Sequence, residues 1–260
     1  MAVVPNRETF ENLYAGKAPW DIGKPQQPFI DVADQIKGSV LDAGCGTGDH
    51  ACGLAARYSC AVIGLDFVET NLKLARARTR KESLSDLITY QQGDIQDMPF
   101  HDAIFDLVWC RDMLIHVPQL QKAVAECARV LKPEGAITVY TIFATDLLEP
   151  KEAAWLYEVL DIVSENMSPA YCEAAFNATG FQIHSCEEIG SEWLEYSEEQ
   201  EGRYSQEILH IARMKRARVS LVADFGQAVY NVMLAVHRWN IYVLLGKLSS
   251  TVYTLRKVTR

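Results

Sequence analysis

Between residues 39 and 141, apolar runs of strand length alternate with segments of helical spacing, and few folds accept that alternation. SVLDAG (39–44), AVIGLD (61–66), ITYQQGD (88–94), FDLVWC (105–110) and AITVYT (136–141) are the strand-like runs. HACGLAARY (50–58), ETNLKLARARTRKES (69–83) and LQKAVAECARVL (120–131) lie between them with helical spacing, the last closed by Lys132, Pro133 and Gly135. Such βαβ units predict a doubly wound sheet. Further on, 149–166 carries a helical apolar stripe. A second helix is expected from Ser168 as N-cap and Pro169 at the first helical position to Gly180. Strands are expected at 181–189 and 251–257, and the roughly 60 residues between them exceed what a hairpin needs. Their apolar patterns predict two helices forming a cap. The expected divisions are an N-terminal lid segment (1–34), a core (35–189), a helical cap (190–245) and a final strand returning to the core (246–260).

Gly44, Gly46 and Gly48 fall directly after the first strand and before the first helix. Glycines there allow a tight turn and a close ligand approach, while the helix start presents free N–H groups. Asp66 closes the second strand, where a carboxylate can accept both hydroxyls of a ribose. Two adenosine ligands compete for such a crevice, NAD and S-adenosylmethionine (SAM). The loop reads GxGxG, whereas the dinucleotide fingerprint is GxGxxG; Asp49 and His50 occupy the positions beyond Gly48. A pyrophosphate would sit poorly beside Asp42 and Asp49, whereas a ligand carrying a sulfonium and an ammonium would not. SAM is the expected cofactor.

Taken together, VLDAGCGTG, Asp66, GDIQDMPF (93–100), FDLVWCRDMLIHV (105–117) and ARVLKPEGAITVY (128–140) resemble, in order and spacing, the successive motifs of the class I SAM-dependent methyltransferases. The resemblance covers about residues 35–145. It implies an α/β Rossmann-like seven-stranded sheet whose last strand is antiparallel. It also implies residue roles. Gly44, Gly46 and Gly48 would lie under the methionine portion, with Asp42 helping to hold its amino group. Asp66 would bind the ribose, Phe67 would flank the adenine, Asp94 would accept the adenine amino proton and Ile95 would pack on the ring. Cys110, Arg111 and Asp112 would lie beside the methionine portion. Phe67 and Ile95 have a competing reading as core residues. Upstream, residues 11–33 resemble the lid of a subset of small-molecule members, where Tyr14 and Trp20 would offer ring faces to a sulfonium or simply cover the sheet edge.

Methyl transfer from a sulfonium needs no metal, so alignment and desolvation should carry most of the catalysis. His116 is the candidate base where the acceptor must lose a proton; its alternative is to shape the site. Glu195 with Tyr196 would line the pocket as a base or a carbocation-stabilising pair, unless the glutamates around them form a solvated face. Arg203, His210 and Arg213 fall at helical spacing and could grip a carboxylate or phosphate of the acceptor, or be surface charge.

Net charge is −9, which argues against a nucleic-acid-coating protein. The charge is unevenly placed, with 10 basic and 2 acidic side chains in 203–260, a balance of +8, against −17 in the rest. A basic cap over a cationic cofactor fits an anionic or isoprenoid-like acceptor, such as a diphosphate or an acid. Seven cysteines without CxxC spacing read as reduced thiols, and no metal is expected. No secretory signal and no apolar run of about 20 residues is visible, so a cytoplasmic protein, monomer or homodimer, working in secondary metabolism is expected. The alternatives to a small-molecule methyltransferase are an RNA or protein methyltransferase, a SAM-binding protein without methyl transfer, and a nicotinamide oxidoreductase.

Overall fold

The computed structural model describes residues 38–191, 194–195, 198–199 and 202–258. The expected lid, with Tyr14 and Trp20, lies outside the described residues, as do Tyr196 and the side chain of Arg203. Seven strands form one sheet: β1 (Ser39–Ala43), β2 (Ala61–Asp66), β3 (Ile88–Gln92), β4 (Phe105–Arg111), β5 (Leu131–Ala144), β6 (Phe181–Ile189) and β7 (Leu248–Lys257). Their order is β3-β2-β1-β4-β5-β7-β6. The first five run parallel, and β7 enters antiparallel between β5 and β6. The seven-stranded sheet with its antiparallel last strand is therefore the one expected.

Eight helices surround it among the described residues: α1 (Asp49–Tyr58), α2 (Glu69–Lys81), α3 (Leu120–Val130), α4 (Pro150–Leu160), α5 (Pro169–Ala178), α6 (Arg203–Arg216), α7 (Arg218–Phe225) and α8 (Gln227–Leu244). Because side chains alternate across each strand, the sheet feeds two apolar layers. On one face Leu41, Val108, Cys110 and Val139 pack with Leu120 and Val124 of α3 and Phe176 of α5. On the other, Val40, Val62, Trp109 and Ile142 pack with Ala51 of α1, Leu156 of α4, and Val232 and Ala235 of α8. All seven cysteines are free, and six are buried.

Two expectations need correction. The stripe 149–166 does not make one helix. α4 stops at Leu160 because Asp161 turns left-handed, at φ 53°, and a short 3-10 turn follows at Ser164–Met167. As expected, Ser168 is the N-cap residue of α5 and Pro169 its first helical residue, although the Ser168 side chain makes no capping bond. Among the described residues, the segment before β7 holds three helices where two were expected, and α8 packs into the core layer over the sheet. The apolar stripe of α8 is long enough to serve both the sheet and α6, where Met214, Tyr230 and Leu234 form a third cluster.

Candidate functional site

Strand order reverses at β1, with β2 on one side and β4 on the other. The chain leaving β1 enters α1 on one face of the sheet, while the chain leaving β4 leads to α3 on the opposite face. Two loops that diverge in this way leave a crevice at the carboxyl ends of the strands, the usual ligand position in such sheets. Its walls are residues 44–48 and 110–116, with the ends of β2 and β3 alongside.

The glycine loop is fixed by its own backbone. The amides of Gly44 and Cys45 both donate to the Leu65 carbonyl, at 2.8 and 3.0 Å, tying the loop to β2. Gly46 donates its N–H to Asp66 Oδ2 at 2.9 Å. The other oxygen of Asp66 accepts from the Val68 amide at 2.8 Å and from Asn71 Nδ2 at 3.2 Å. Burial raises the Asp66 pKa despite these donors. Gly48 caps α1 at φ 82° and packs against Tyr90 and Ala75, whereas no described atom lies within 4 Å of where a Cβ on Gly46 would stand.

Beneath the loop, Asp42 is 2% exposed, and its Oδ2 has no hydrogen-bond partner among the described residues. Burial, reinforced by Asp66, pushes its pKa up from 3.8 to about 7, against the Ala51 amide of α1 and the Arg111 guanidinium. A carboxylate in this state is only partly compensated by Arg111. Asp112 is desolvated as well, with Arg111 beside it. Its φ is 51°, its amide donates to the Tyr140 carbonyl at 3.0 Å, its Oδ1 has no hydrogen-bond partner among the described residues, and burial raises its pKa. These acids and the open face of Gly46 suit a ligand that brings an ammonium and ribose hydroxyls.

Not every expected contact is formed by a side chain. Cys110 turns away from the crevice into the core beside Cys127, so at most its backbone reaches a ligand. Ile95 is 5% exposed, in the core cluster that also holds Leu65 and Met98. Phe67 is 58% exposed after β2, and Gln92 Nε2 donates to its carbonyl at 3.0 Å, which joins the ends of β2 and β3. Asp94 is exposed beyond β3, its oxygens accepting from the backbone and side-chain amides of Gln96 at 2.8–3.2 Å. Arg111 pairs with Asp112 at 3.4 Å and stands over the Tyr140 ring at 5.6 Å.

His116 sits in a 3-10 turn, Leu114–His116, directly after this segment. Its Nδ1 lies 3.1 Å from the Asp161 carbonyl, so the neutral ring carries its proton there and offers Nε2 as the acceptor. Desolvation lowers its pKa, opposed by that carbonyl. Asn166 clamps the turn from below, its Nδ2 donating to the carbonyls of Leu114 at 2.7 Å and Val117 at 2.8 Å. The sequence gives no signal for Asn166 or Asp161, since both lie over 40 residues away. His50 lies in the first turn of α1, directly after the loop. It stands beside Trp109, ring centroids 6.0 Å apart, and burial with Arg111 pulls its pKa down to about 3, which keeps it neutral.

The acceptor residues are less well assembled. Glu195 is exposed, and Arg213 is exposed on α6. His210 turns toward His237 of α8 instead of joining Arg213. Glu198, one of the glutamates read as a solvated face, caps α6 by accepting from the amides of Tyr204 and Ser205. Tyr204 follows and is close enough to Tyr140 to act on its pKa, which places the start of α6 near the crevice.

Residues 41–139 match the protein family described as Methyltransferase domain. Sterol 24-C-methyltransferase of Pneumocystis carinii is 29% identical over 199 residues, covering 72% of this chain and 53% of that protein. The 27-O-demethylrifamycin SV methyltransferase of Amycolatopsis mediterranei is 25% identical over 215 residues, 77% of this chain and 79% of the relative. Among solved structures, that of the (4+2)-cyclase SpnF shares the fold with a TM-score of 0.70 at 21% identity, over 90% of this chain and 81% of that one. The chain spans about half the length of the sterol methyltransferases it matches. No helix among the described residues is long and apolar enough to cross a membrane.

Proposed function

We propose that the chain, whose residues 41–139 match the family described as Methyltransferase domain, is a class I SAM-dependent methyltransferase that transfers a methyl group from SAM to a small-molecule acceptor and releases S-adenosylhomocysteine. The observation that carries this reading is Asp42, a buried carboxylate one of whose oxygens has no partner among the described residues, under a glycine loop whose central residue would meet no described atom within 4 Å of a Cβ. An ammonium is the counter-charge that such a group calls for, and a pyrophosphate would repel it.

SAM supplies an electrophilic methyl on a sulfonium. The residues' part is to hold and to exclude. Asp42 takes the ammonium and Asp66 the ribose hydroxyls, with the Gly46 amide and Asn71 keeping its carboxylate oriented. Phe67 supports the adenine, and Asp94 accepts from its amino group. Arg111 and Asp112 form the wall toward the acceptor, and neutral His50 adds no charge to it. His116 takes a proton from the acceptor through Nε2, with Asp161 fixing the tautomer.

The acceptor enters from the side of α6. The basic balance of 203–260 favours an anionic or isoprenoid-like metabolite, as made in secondary metabolism, and the enzyme acts in the cytoplasm as a monomer or homodimer. The exposure of Arg213 and the engagement of His210 elsewhere leave the Arg203–His210–Arg213 clamp without support from packing.

Calorimetry of the full chain with SAM, S-adenosylhomocysteine and NAD in turn tests the cofactor. One-to-one binding of the first two and none of NAD is expected. Labelled methyl transfer to a panel of paired neutral and anionic acceptors then tests the reaction. Acceptor turnover without S-adenosylhomocysteine release would replace transfer by a SAM-assisted rearrangement, and NAD binding would remove the proposal altogether.

A further inference from the structure

Outside the crevice, one cluster of metal-ligating side chains joins two helices. Glu207 and His210 stand three residues apart on α6, hence on one face. His237 of α8 meets them there. One donor atom from each of the three lies within 4.8 Å of the others. His237 Nδ1 contacts Glu207 Oε2, and the His210 and His237 rings are 5.2 Å apart, tilted by 54°. Asn240, one turn further along α8, donates to Glu207 Oε1 at 3.1 Å and orients the carboxylate.

A single carboxylate already bonded by His237 and Asn240 has little use for a second imidazole, and two protonated imidazoles side by side would repel. Two neutral imidazoles and one carboxylate are instead a familiar donor set for zinc, with the carboxylate held by an outer amide. A four-coordinate zinc keeps its donors roughly 3.3 Å apart, given metal–ligand bonds of about 2.0–2.2 Å. Donors already within 4.8 Å reach that spacing by side-chain rotation. His210 is exposed while Glu207 and His237 are half-buried, which provides an entry path.

We propose that Glu207, His210 and His237 form a three-ligand site for a zinc-class divalent cation that ties α6 to α8 and leaves a fourth position open to solvent. The site is independent of the methyltransferase reading. It lies in the helices between β6 and β7, and Tyr204 at the start of α6 is close to Tyr140. A cation here would set the position of α6 near the crevice.

The test uses the full chain after dialysis against a chelator. Zinc titration by calorimetry should give one equivalent, and Co2+ should show a visible ligand-field spectrum without a thiolate charge-transfer band. His210→Ala replaces an exposed residue, so it should fold, as circular dichroism will check, and lose the stoichiometric site. His237→Ala should do the same. Asn240→Ala should keep the site but weaken it by about 10–100-fold, as expected of an outer-sphere partner. Zinc should raise the melting temperature of the wild type and not of His210→Ala. Absence of zinc binding, binding unchanged in both histidine variants, or a thiolate band that places the ion on cysteines would each overturn the proposal.

Discussion

Gly46 and Gly48 sit two residues apart in one loop, both with positive φ, yet alanine should act on them in opposite ways. A Cβ on Gly48 would stand 2.5 Å from the Tyr90 hydroxyl and 2.9 Å from Ala75 Cβ. That hydroxyl is bonded to Thr79 Oγ1 at 2.8 Å, so it cannot retreat without breaking the pair. Left-handed backbone costs an alanine about 1–2 kcal/mol, and overpacking a filled site adds about 1–3 kcal/mol. Gly48→Ala should therefore lose roughly 2–5 kcal/mol of stability. Gly46→Ala meets only the backbone cost, about 1–2 kcal/mol, because no described atom lies within 4 Å of the new methyl. That methyl enters the space where the cofactor must come close, so affinity for S-adenosylhomocysteine should fall about tenfold or more, at least ~1.4 kcal/mol. Urea unfolding of the ligand-free chain gives the first quantity and calorimetry the second. Wild-type affinity in Gly46→Ala, or a stability loss equal to that of Gly48→Ala, would refute the placement of the ligand over Gly46.

Asp42→Asn should stabilise the ligand-free protein at pH 8 while weakening the cofactor. The carboxyl titrates at about 7 in the fold against 3.8 when free, so the unfolded chain binds fewer protons in that window and stability falls as pH rises through it. Removing the charge should recover up to about 4 kcal/mol at pH 8. Wild-type cofactor affinity should in turn decline as pH drops below 7, and the Asn variant should show no such decline. His116→Ala should lower turnover and leave cofactor affinity unchanged. Since desolvation lowers the His116 pKa, the acid limb of the wild-type rate profile should lie below that of a free imidazole; equal turnover in the variant would end its role as base. Asn166→Ala strands two carbonyls of the His116 turn in a site 1% exposed. It should cost about 2–4 kcal/mol in thermal unfolding and reduce turnover through the turn it positions.

The parts legible in the sequence share one property: each signal is local. The alternation of apolar runs gave β2 at Ala61–Asp66 and β6 at Phe181–Ile189 to the residue. The loop and Asp66 follow from spacing after a strand. What stayed hidden depends on contacts between distant segments. Cys110 and Arg111 are neighbours in sequence, but the pleat sends one to the α3 face and the other toward Tyr140, so a motif naming both as ligand contacts mixes two faces. Asn166 reaches His116 only because Asp161 breaks the helix that periodicity would have carried on to 166. In the same way, Glu207 and His210 display helical spacing, but their third partner, His237, lies 30 residues beyond Glu207 on α8.

The charge segregation acquires a physical sense at the crevice. Asp42 and Asp66 each carry a raised pKa, and the charge of Asp66 adds to the shift of Asp42. Asp112 is raised as well, by burial alone. Buried carboxylates oppose folding, and among the described residues Arg111 is the cation that answers Asp42 and Asp112. A ligand that arrives with an ammonium and a sulfonium removes that opposition, so part of its affinity is the relief of repulsion already present in the fold. An anionic cofactor would add to the repulsion. The glycine spacing and the charge of the crevice thus select the same ligand on separate physical grounds. The test that separates them is Asp42→Asn, which leaves the loop intact and should reduce discrimination between cationic SAM and analogues lacking the amino group.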